Sequence, residues 1–569
     1  MPIDLISSLL VFFGVVFGLA WPLAARLPLA AAEKIAASFM LSLLGVFLFA
    51  WCVYVWAIPA AVLWVLPALG AFGLAIGLRD LDAAWRDTDG RALLIGQLIV
   101  TGWCLGWLAT IASYAGGGWT SDWFEHWERA RFFLERLPLD QKFLGTYTLT
   151  ARPPLANVVT AALLFVTRAD FAHFQFVSTL LASLVYLPAA LLARRFGRDV
   201  RTISLCAALF LVNPLLVQNA TFAWTKLPAA AFVLTALYFF LRAQERGSAA
   251  SVAVLCAASL AAGFLAHYSA GPYAVLLALG WIGLGWPRRH EREWQRATSL
   301  AAGTGAVVLA TWFSWALATY GAHETFFSNS SVTAAESNHG SLLAKIALNL
   351  RDTLVPHFLR SLDASLITQL SSWGHWSDWV FQCYQLNLPL ACGCLAWLAI
   401  ARELWRVYRT AAVHDRIFWG MFIAGVVLLG VGTHGARDVW GLTHICLQAL
   451  VLLAVAFLAA RWGVLERAWR LALIAGATVD LSLGILLHGG VQSYAFDRWF
   501  AAGGVSNQTL HSYTESAFMN LAAKIKHHLA FFSDTFAAPL AAVLGALALL
   551  LGLALWRARQ PRASRNGVA

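Results

Sequence analysis

The sequence predicts an all-α polytopic membrane protein, and three observations predict it. Of 569 residues, 60% are hydrophobic and only 12% are charged, which is more apolar surface than an ordinary soluble core can hide. Apolar runs approaching the ~20 residues that cross a bilayer recur along the whole chain. The arginines gather in short connectors at alternate ends of those runs, the pattern of loops retained on the cytoplasmic side. The formal net charge of +11 therefore reports orientation and excludes nucleic acid as the partner it would otherwise suggest.

The elements follow in order. Apolar segments at roughly 5–25, 36–56 and 58–77 form an N-terminal block, residues 1–92, ahead of the rest. The first of these lacks the basic start of a cleaved leader and is read as a retained span. Arg79, Arg86 and Arg91 place the next connector inside, so the span near 93–114 travels outward. It delivers a first outer loop, residues 115–171, rich in ionisable groups. Leu155 to Val166 is too short to cross and follows Pro153-Pro154, so a half-inserted helix is expected there. Spans near 172–194, 202–217, 222–242, 249–266, 268–286 and 298–320 complete a unit at 93–320. An outer loop at 321–385 with amphipathic pieces precedes spans near 386–401, 417–434, 440–460 and 468–487. A second outer segment at 489–535 leads to a last span near 536–556 and a basic tail. About 15 crossings result, with the N-terminus outside and the C-terminus inside.

Eight cysteines are present. All but Cys383 fall in expected spans, and Cys392-Gly393-Cys394 has neither zinc-site nor thioredoxin spacing, so no metal and no disulfide is inferred. The 27 tryptophans are read mostly as interfacial belt residues.

The chemistry concentrates where ionisable residues reach the outer ends of spans. Written on a helix, Trp123, Trp127, Ala130, Leu134 and Leu137 form one stripe and Asp122, Glu125, His126 and Arg129 an adjoining one. Such a helix is expected to lie in the membrane interface with its ionisable stripe toward water. Asp122 and Glu125 are one turn apart, so two carboxylates can converge, with His126 and Arg129 close enough to tune them. Arg152 before Pro153-Pro154, the turn Trp224-Thr225-Lys226, the turn His267-Tyr268, and His434 with Arg437 and Asp438 emerge on the same face. Ionisable groups gathered at one depth point to a water-filled cavity. Two acids among several cations suit a phosphate-bearing substrate and a general base.

Each residue also has a plainer reading. Ser121 or Asp122 with Glu125 fits a helix N-cap and its capping partner. Arg129 fits the i+4 ion-pair partner of Glu125. Arg152 and Lys226 fit interfacial anchors, His267 a satisfied turn histidine, and Arg437 with Asp438 a local ion pair.

An outward span, an acid opening an amphipathic helix (Asp122-Trp123-Phe124-Glu125-His126-Trp127-Glu128-Arg129-Ala130), then Arg152-Pro153-Pro154-Leu155, then a span ending Ala193-Arg194-Arg195-Phe196-Gly197-Arg198 resembles the GT-C superfamily of membrane glycosyltransferases. Within it, the aminoarabinose and protein O-mannosyl transferases are the most similar, over roughly residues 93–290. The resemblance implies a GT-C-like helical bundle and a sugar donor carried on a polyprenyl phosphate. It implies inverting transfer to a hydroxyl of a lipid, glycan or protein acceptor on the periplasmic or extracellular face of a bacterial inner membrane. Asp122 matches the family's catalytic acid, with Glu125 as the second acid. Arg152, Lys226 and Arg437 would hold the lipid phosphate, with His126, Arg129, His267, Tyr268 and His434 completing the substrate site. Relatives usually set two acids side by side, whereas here Trp123 follows Asp122. No cofactor is expected. A divalent metal is not favoured, because cations outnumber acids in the expected cavity.

Two other classes remain open from the residues alone. A transporter or flippase for a lipid-linked glycan needs polar groups or broken helices near mid-membrane, and a glycan polymerase or ligase would use the same outer cations on larger substrates.

Overall fold

The computed structural model describes residues 2–111, 122–145, 147–197, 199–245, 247, 250–328, 341–356, 384–385, 387–433, 447–495 and 529–559. Among them the chain is helical, with a single isolated bridge between Phe143 and Tyr147. Among the described residues ten helices are long and apolar enough to cross a membrane. Two bent pairs, Ala60–Ile76 with Leu78–Arg86 and Arg201–Val212 with Pro214–Thr221, raise this to as many as twelve. The other three expected crossings fall on the 17-residue Ala250–Ala266, on Leu388–Cys392 followed by Ala396–Thr410, and on Phe532–Arg559, which carries Pro539 inside.

The arginine-rich connectors meet at one end of the bundle, joined by ion pairs between different spans. Arg194 pairs with Asp89 at 2.9 Å, Arg242 with Glu33 at 2.8 Å, Arg195 with Glu245 at 2.7 Å and Arg461 with Glu403 at 3.0 Å. The candidate site residues of the loop at 115–171 lie at the far end of the spans that start there. Thr88–Leu108 begins at that basic end, where the Asp87 carboxylate accepts the N–H of Gly90 at 2.7 Å as an N-cap.

The N-terminal block is built into the bundle. Ala31–Val55 packs its outer end on the loop helix: Trp51 stacks edge-on to Phe133 at 6.2 Å and to Trp312 at 5.5 Å, and its indole donates to the Thr311 carbonyl at 3.0 Å. Arg136, in the left-handed region with φ 52° just past the loop helix, donates to the Val53 carbonyl at 3.1 Å. Ahead of these, the first span meets Val65–Ile76 through glycines. A Cβ on Gly18 would lie 2.1 Å from the Gly70 carbonyl oxygen, so only the bare backbones can approach so closely.

Leu155–Val166 is the expected short helix. Its 12 residues rise about 18 Å, less than a bilayer core, and it is buried along nearly its whole length between the loop helix and Ala31–Val55.

Candidate functional site

The loop helix Asp122–Glu135 carries the site, and both of its stripes are inside the protein. Trp123 and Trp127 pack on Phe171 at 5.3 and 5.7 Å. The ionisable stripe, expected to face water, is covered as well: Glu125, His126 and Arg129 are 0%, 4% and 1% exposed. The chain after the helix folds back over it, turning at Leu144 and Gly145, both at positive φ, and this returning segment replaces water with fixed partners.

Glu125 and Arg129 form the structural half of the stripe. Arg129 Nε donates to Glu125 Oε1 at 2.9 Å, and its two other nitrogens donate to the carbonyls of Leu149 and Thr148 at 2.8 and 2.9 Å. Its guanidinium lies 4.3 Å from the centre of the Phe143 ring. The i+4 reading of Arg129 therefore describes its geometry, with the addition that it clamps the returning loop. The second oxygen of Glu125 accepts from Arg152 at 3.3 Å. Burial alone would raise the Glu125 carboxyl, but Arg152 and then Arg129 outweigh it and hold it down at about 2. Neither Glu125 nor Arg129 lines the cavity described below.

Asp122 is the contrasting carboxylate. Burial, with Glu125 one turn away, pushes it up to about 6 against the opposing pull of Arg152 and Lys226. Its Oδ2 accepts from the indole N–H of Trp224 at 3.1 Å. His126 stands one turn further on, its Nδ1 3.1 Å from the Asn157 side-chain oxygen. Burial lowers its imidazole to about 4, so the ring is neutral and a weaker base than Asp122.

Arg152 is extended, as a residue before proline is, and its guanidinium lies 5.5 Å from the centre of the Tyr147 ring. Lys226 opens the span Lys226–Ala243 and is 4% exposed, its ammonium 4.0 Å above the Trp224 ring. His267 caps the turn at Tyr268–Ala270 by accepting the Ser269 N–H at 3.1 Å, as a turn histidine does. Tyr268 donates to the Thr150 carbonyl at 3.3 Å, tying that turn to the first loop.

These groups meet at a cavity of about 880 Å³. Asp122, His126, Arg152, Lys226, His267 and Tyr268 line it together, as do Pro153 and Trp224. The remaining wall is apolar and runs between Ala250–Ala266, Gly271–Gly285 and Arg292–Phe327, where Ala261, Ala278, Ala302 and Gly305 leave room for a groove. From His267 to Ile282 that wall extends about 20 Å along the helices. His434, Arg437 and Asp438 lie outside the described residues. Among the described residues no three of His, Cys, Asp and Glu stand together as metal ligands.

Sequence reasoning missed Asn157 and named Trp224 only as part of the turn before Lys226, without a role. Asn157 sits in an apolar helix with nothing to mark it. Trp224 is one of 27 tryptophans, and its role depends on the left-handed backbone of Ala223 at φ 58°, which no pattern announces.

Residues 101–319 match the profile of the family described as dolichyl-phosphate-mannose-protein mannosyltransferase. All eight described candidate residues fall within that match, and the resemblance to membrane glycosyltransferases is borne out. No curated protein sequence matches the chain. Among solved structures the chain is similar to two crystal structures of ArnT from Cupriavidus metallidurans, one bound to undecaprenyl phosphate and one in the apo state. Each shows 15% identity and a TM-score of 0.46 over 78% of this chain, and covers 77% and 76% of the respective ArnT chains. A superposition that loose carries no residue correspondence.

Proposed function

We propose, from the mannosyltransferase-family match over residues 101–319, that this chain is an integral-membrane glycosyltransferase. It moves a sugar from a polyprenyl-phosphate-linked donor to a hydroxyl of a lipid, glycan or protein acceptor. The observation that carries the reading is the composition of one cavity: a carboxylate of raised basicity, the half-buried Arg152 and the buried Lys226 at one end, and a long apolar groove leading away. A lipid-linked phosphate sugar has the same three parts, a reacting centre, an anion and a hydrocarbon chain.

The acceptor oxygen attacks the anomeric carbon from the face opposite the phosphate, and Asp122 takes its proton. The bond from the anomeric carbon to the phosphate oxygen breaks, and polyprenyl phosphate leaves with the electron pair and its growing charge. Arg152 and Lys226 stabilise that charge, the sugar configuration is inverted, and the prenyl chain lies in the apolar groove. Glu125, with both oxygens committed to arginines, holds Arg152 in place and does not act as the base. A neutral His126 offers the sugar a hydrogen-bond partner. The reaction belongs to the end of the bundle opposite the arginine connectors, the periplasmic face in the topology the basic loops favour.

The test is sugar transfer from labelled polyprenyl-phosphate donors by the full chain in membranes, native against Asp122→Asn at equal protein level. The variant is expected to bind donor and to lose turnover by at least ~10². Undiminished turnover in the variant would remove Asp122 as the base. A native chain that consumes no donor would instead favour transport of a lipid-linked glycan.

A further inference from the structure

The wall of the cavity holds a side chain that touches both halves of the proposed chemistry. Trp224 is 3% exposed and lies between the loop helix and the start of Lys226–Ala243. Its indole N–H donates to Asp122 Oδ2 at 3.1 Å, and the Lys226 ammonium lies 4.0 Å from a ring centroid. The ring of Phe222 braces it edge-on at 4.6 Å. Ala223 between them adopts φ 58°, a conformation costly for any residue with a Cβ. Strain of this kind persists where surrounding packing enforces it and gathers at functional sites. Here it turns the chain sharply after Pro214–Thr221 and swings Trp224 under Asp122.

The identity of the donor matters. Arg152 gives its hydrogen bond to Glu125, so the donor reaching Asp122 in the described structure is a neutral indole. A guanidinium there would form a stronger, charge-assisted bond and lower the carboxylate's basicity further. A neutral N–H fixes one oxygen in space at a smaller loss of basicity and leaves the other to the cavity.

We propose that Trp224 is the positioning residue of this site, its N–H aiming the Asp122 carboxylate at the acceptor and its ring face seating the Lys226 ammonium where the leaving phosphate arrives. The assignment rests on the reading of Asp122 as base and Lys226 as phosphate ligand. Among the described residues the charged and titratable groups that face Asp122 are Glu125 and His126 on its own helix, Tyr147 and Arg152 from the returning segment before Leu155–Val166, Lys226 from its span, and His267 across the cavity. Trp224 is the neutral side chain that donates a hydrogen bond to Asp122 itself. A tryptophan that merely filled the wall would be replaceable by another large ring without changing how Asp122 titrates.

The experiment uses the full chain in lipid nanodiscs, with two readouts independent of turnover. Infrared titration follows the carboxyl band that Asp122→Asn removes, and calorimetry measures binding of farnesyl phosphate. In Trp224→Phe, which keeps a ring face and loses the N–H, the band's midpoint is expected to rise by roughly half to one pH unit, with farnesyl phosphate affinity within about two-fold of native. In Trp224→Leu, which loses the ring as well, affinity is expected to fall by about five- to ten-fold. Should Trp224→Phe fold poorly, benzothienylalanine incorporated at position 224 keeps the bicyclic shape without the N–H and is expected to give the same midpoint shift. An unchanged midpoint in either N–H-deficient chain overturns the first half of the proposal, and native affinity in Trp224→Leu overturns the second. Turnover of Asp122→Asn equal to native would sink the base reading instead, and the infrared titration would still report whether Trp224 tunes Asp122.

Discussion

Two carboxylates one turn apart on the same helix have opposite fates, and their neighbours decide which is which. Glu125 has two guanidiniums within hydrogen-bond reach and is held at about 2; Asp122 accepts from a neutral indole, so burial prevails and raises it to about 6. Since the folded Glu125 value lies below the ordinary one of 4.5, its contribution to stability is full above that pH and is lost as pH falls toward 2. Glu125→Gln leaves the buried Arg129 without its counter-charge and Arg152 with Asp122 alone, a loss of about 3–5 kcal/mol for a broken buried pair. A marked drop in Tm is expected in thermal unfolding of the detergent-solubilised chain, whereas Asp122→Asn, which removes a buried charge, keeps or raises Tm. If Glu125→Gln unfolds at the native temperature, the pair does not hold the loop. The acids, His126 and Arg129 were legible in the sequence as a helical stripe, and Arg152 and Lys226 as ionisable groups at span ends. Which acid was free to react was not, because that depends on where Arg152 points from 27 residues away.

At the scale of elements, the loop helix shows how an amphipathic pattern can mislead. Its two stripes were read correctly, but the polar one faces a returning chain segment, because charges paired with fixed donors tolerate burial. The N-terminal spans, which carry no site residue, steady this helix through Trp51, Val53 and the Phe133 ring. Their own packing depends on glycine. A side chain on Gly70 would begin 2.5 Å from the Gly14 carbonyl oxygen, so Gly70→Leu must push the first span away. The expected outcome is a Tm lower by several degrees and faster proteolysis of the N-terminal block, with turnover reduced less than by any change at Asp122. Equal proteolysis of the variant and the native chain would mean that the block is held by other contacts.

For the whole molecule, the ion pairs among arginine connectors and the polar end of the cavity at the opposite ends of the spans give the bundle two chemically distinct faces. That arrangement makes the orientation testable. With impermeant maleimide on intact cells, Asp140→Cys beside the loop helix is expected to label, and His290→Cys among the basic connectors only after permeabilisation. The reverse pattern would put the site on the cytoplasmic side. The apolar groove also bears on the rival classes. It joins the site to the flank of Ala250–Ala266 and Gly271–Gly285, the route a membrane-dissolved chain would use to reach one face.

The sequence by itself determined the membrane class, the order of the apolar segments, the gathering of the arginines in connectors and most of the polar residues that line the cavity, because these follow from composition and from the 3.6-residue period within single elements. Only the tertiary structure decided that Glu125 is spent on arginines, that Asp122 accepts from a neutral N–H, that Trp224 touches both Asp122 and Lys226, and that an apolar groove leads from these residues. Each depends on distances between residues far apart in the chain. Hydrogen bonds and desolvation act over a few ångströms, and only folding sets those separations.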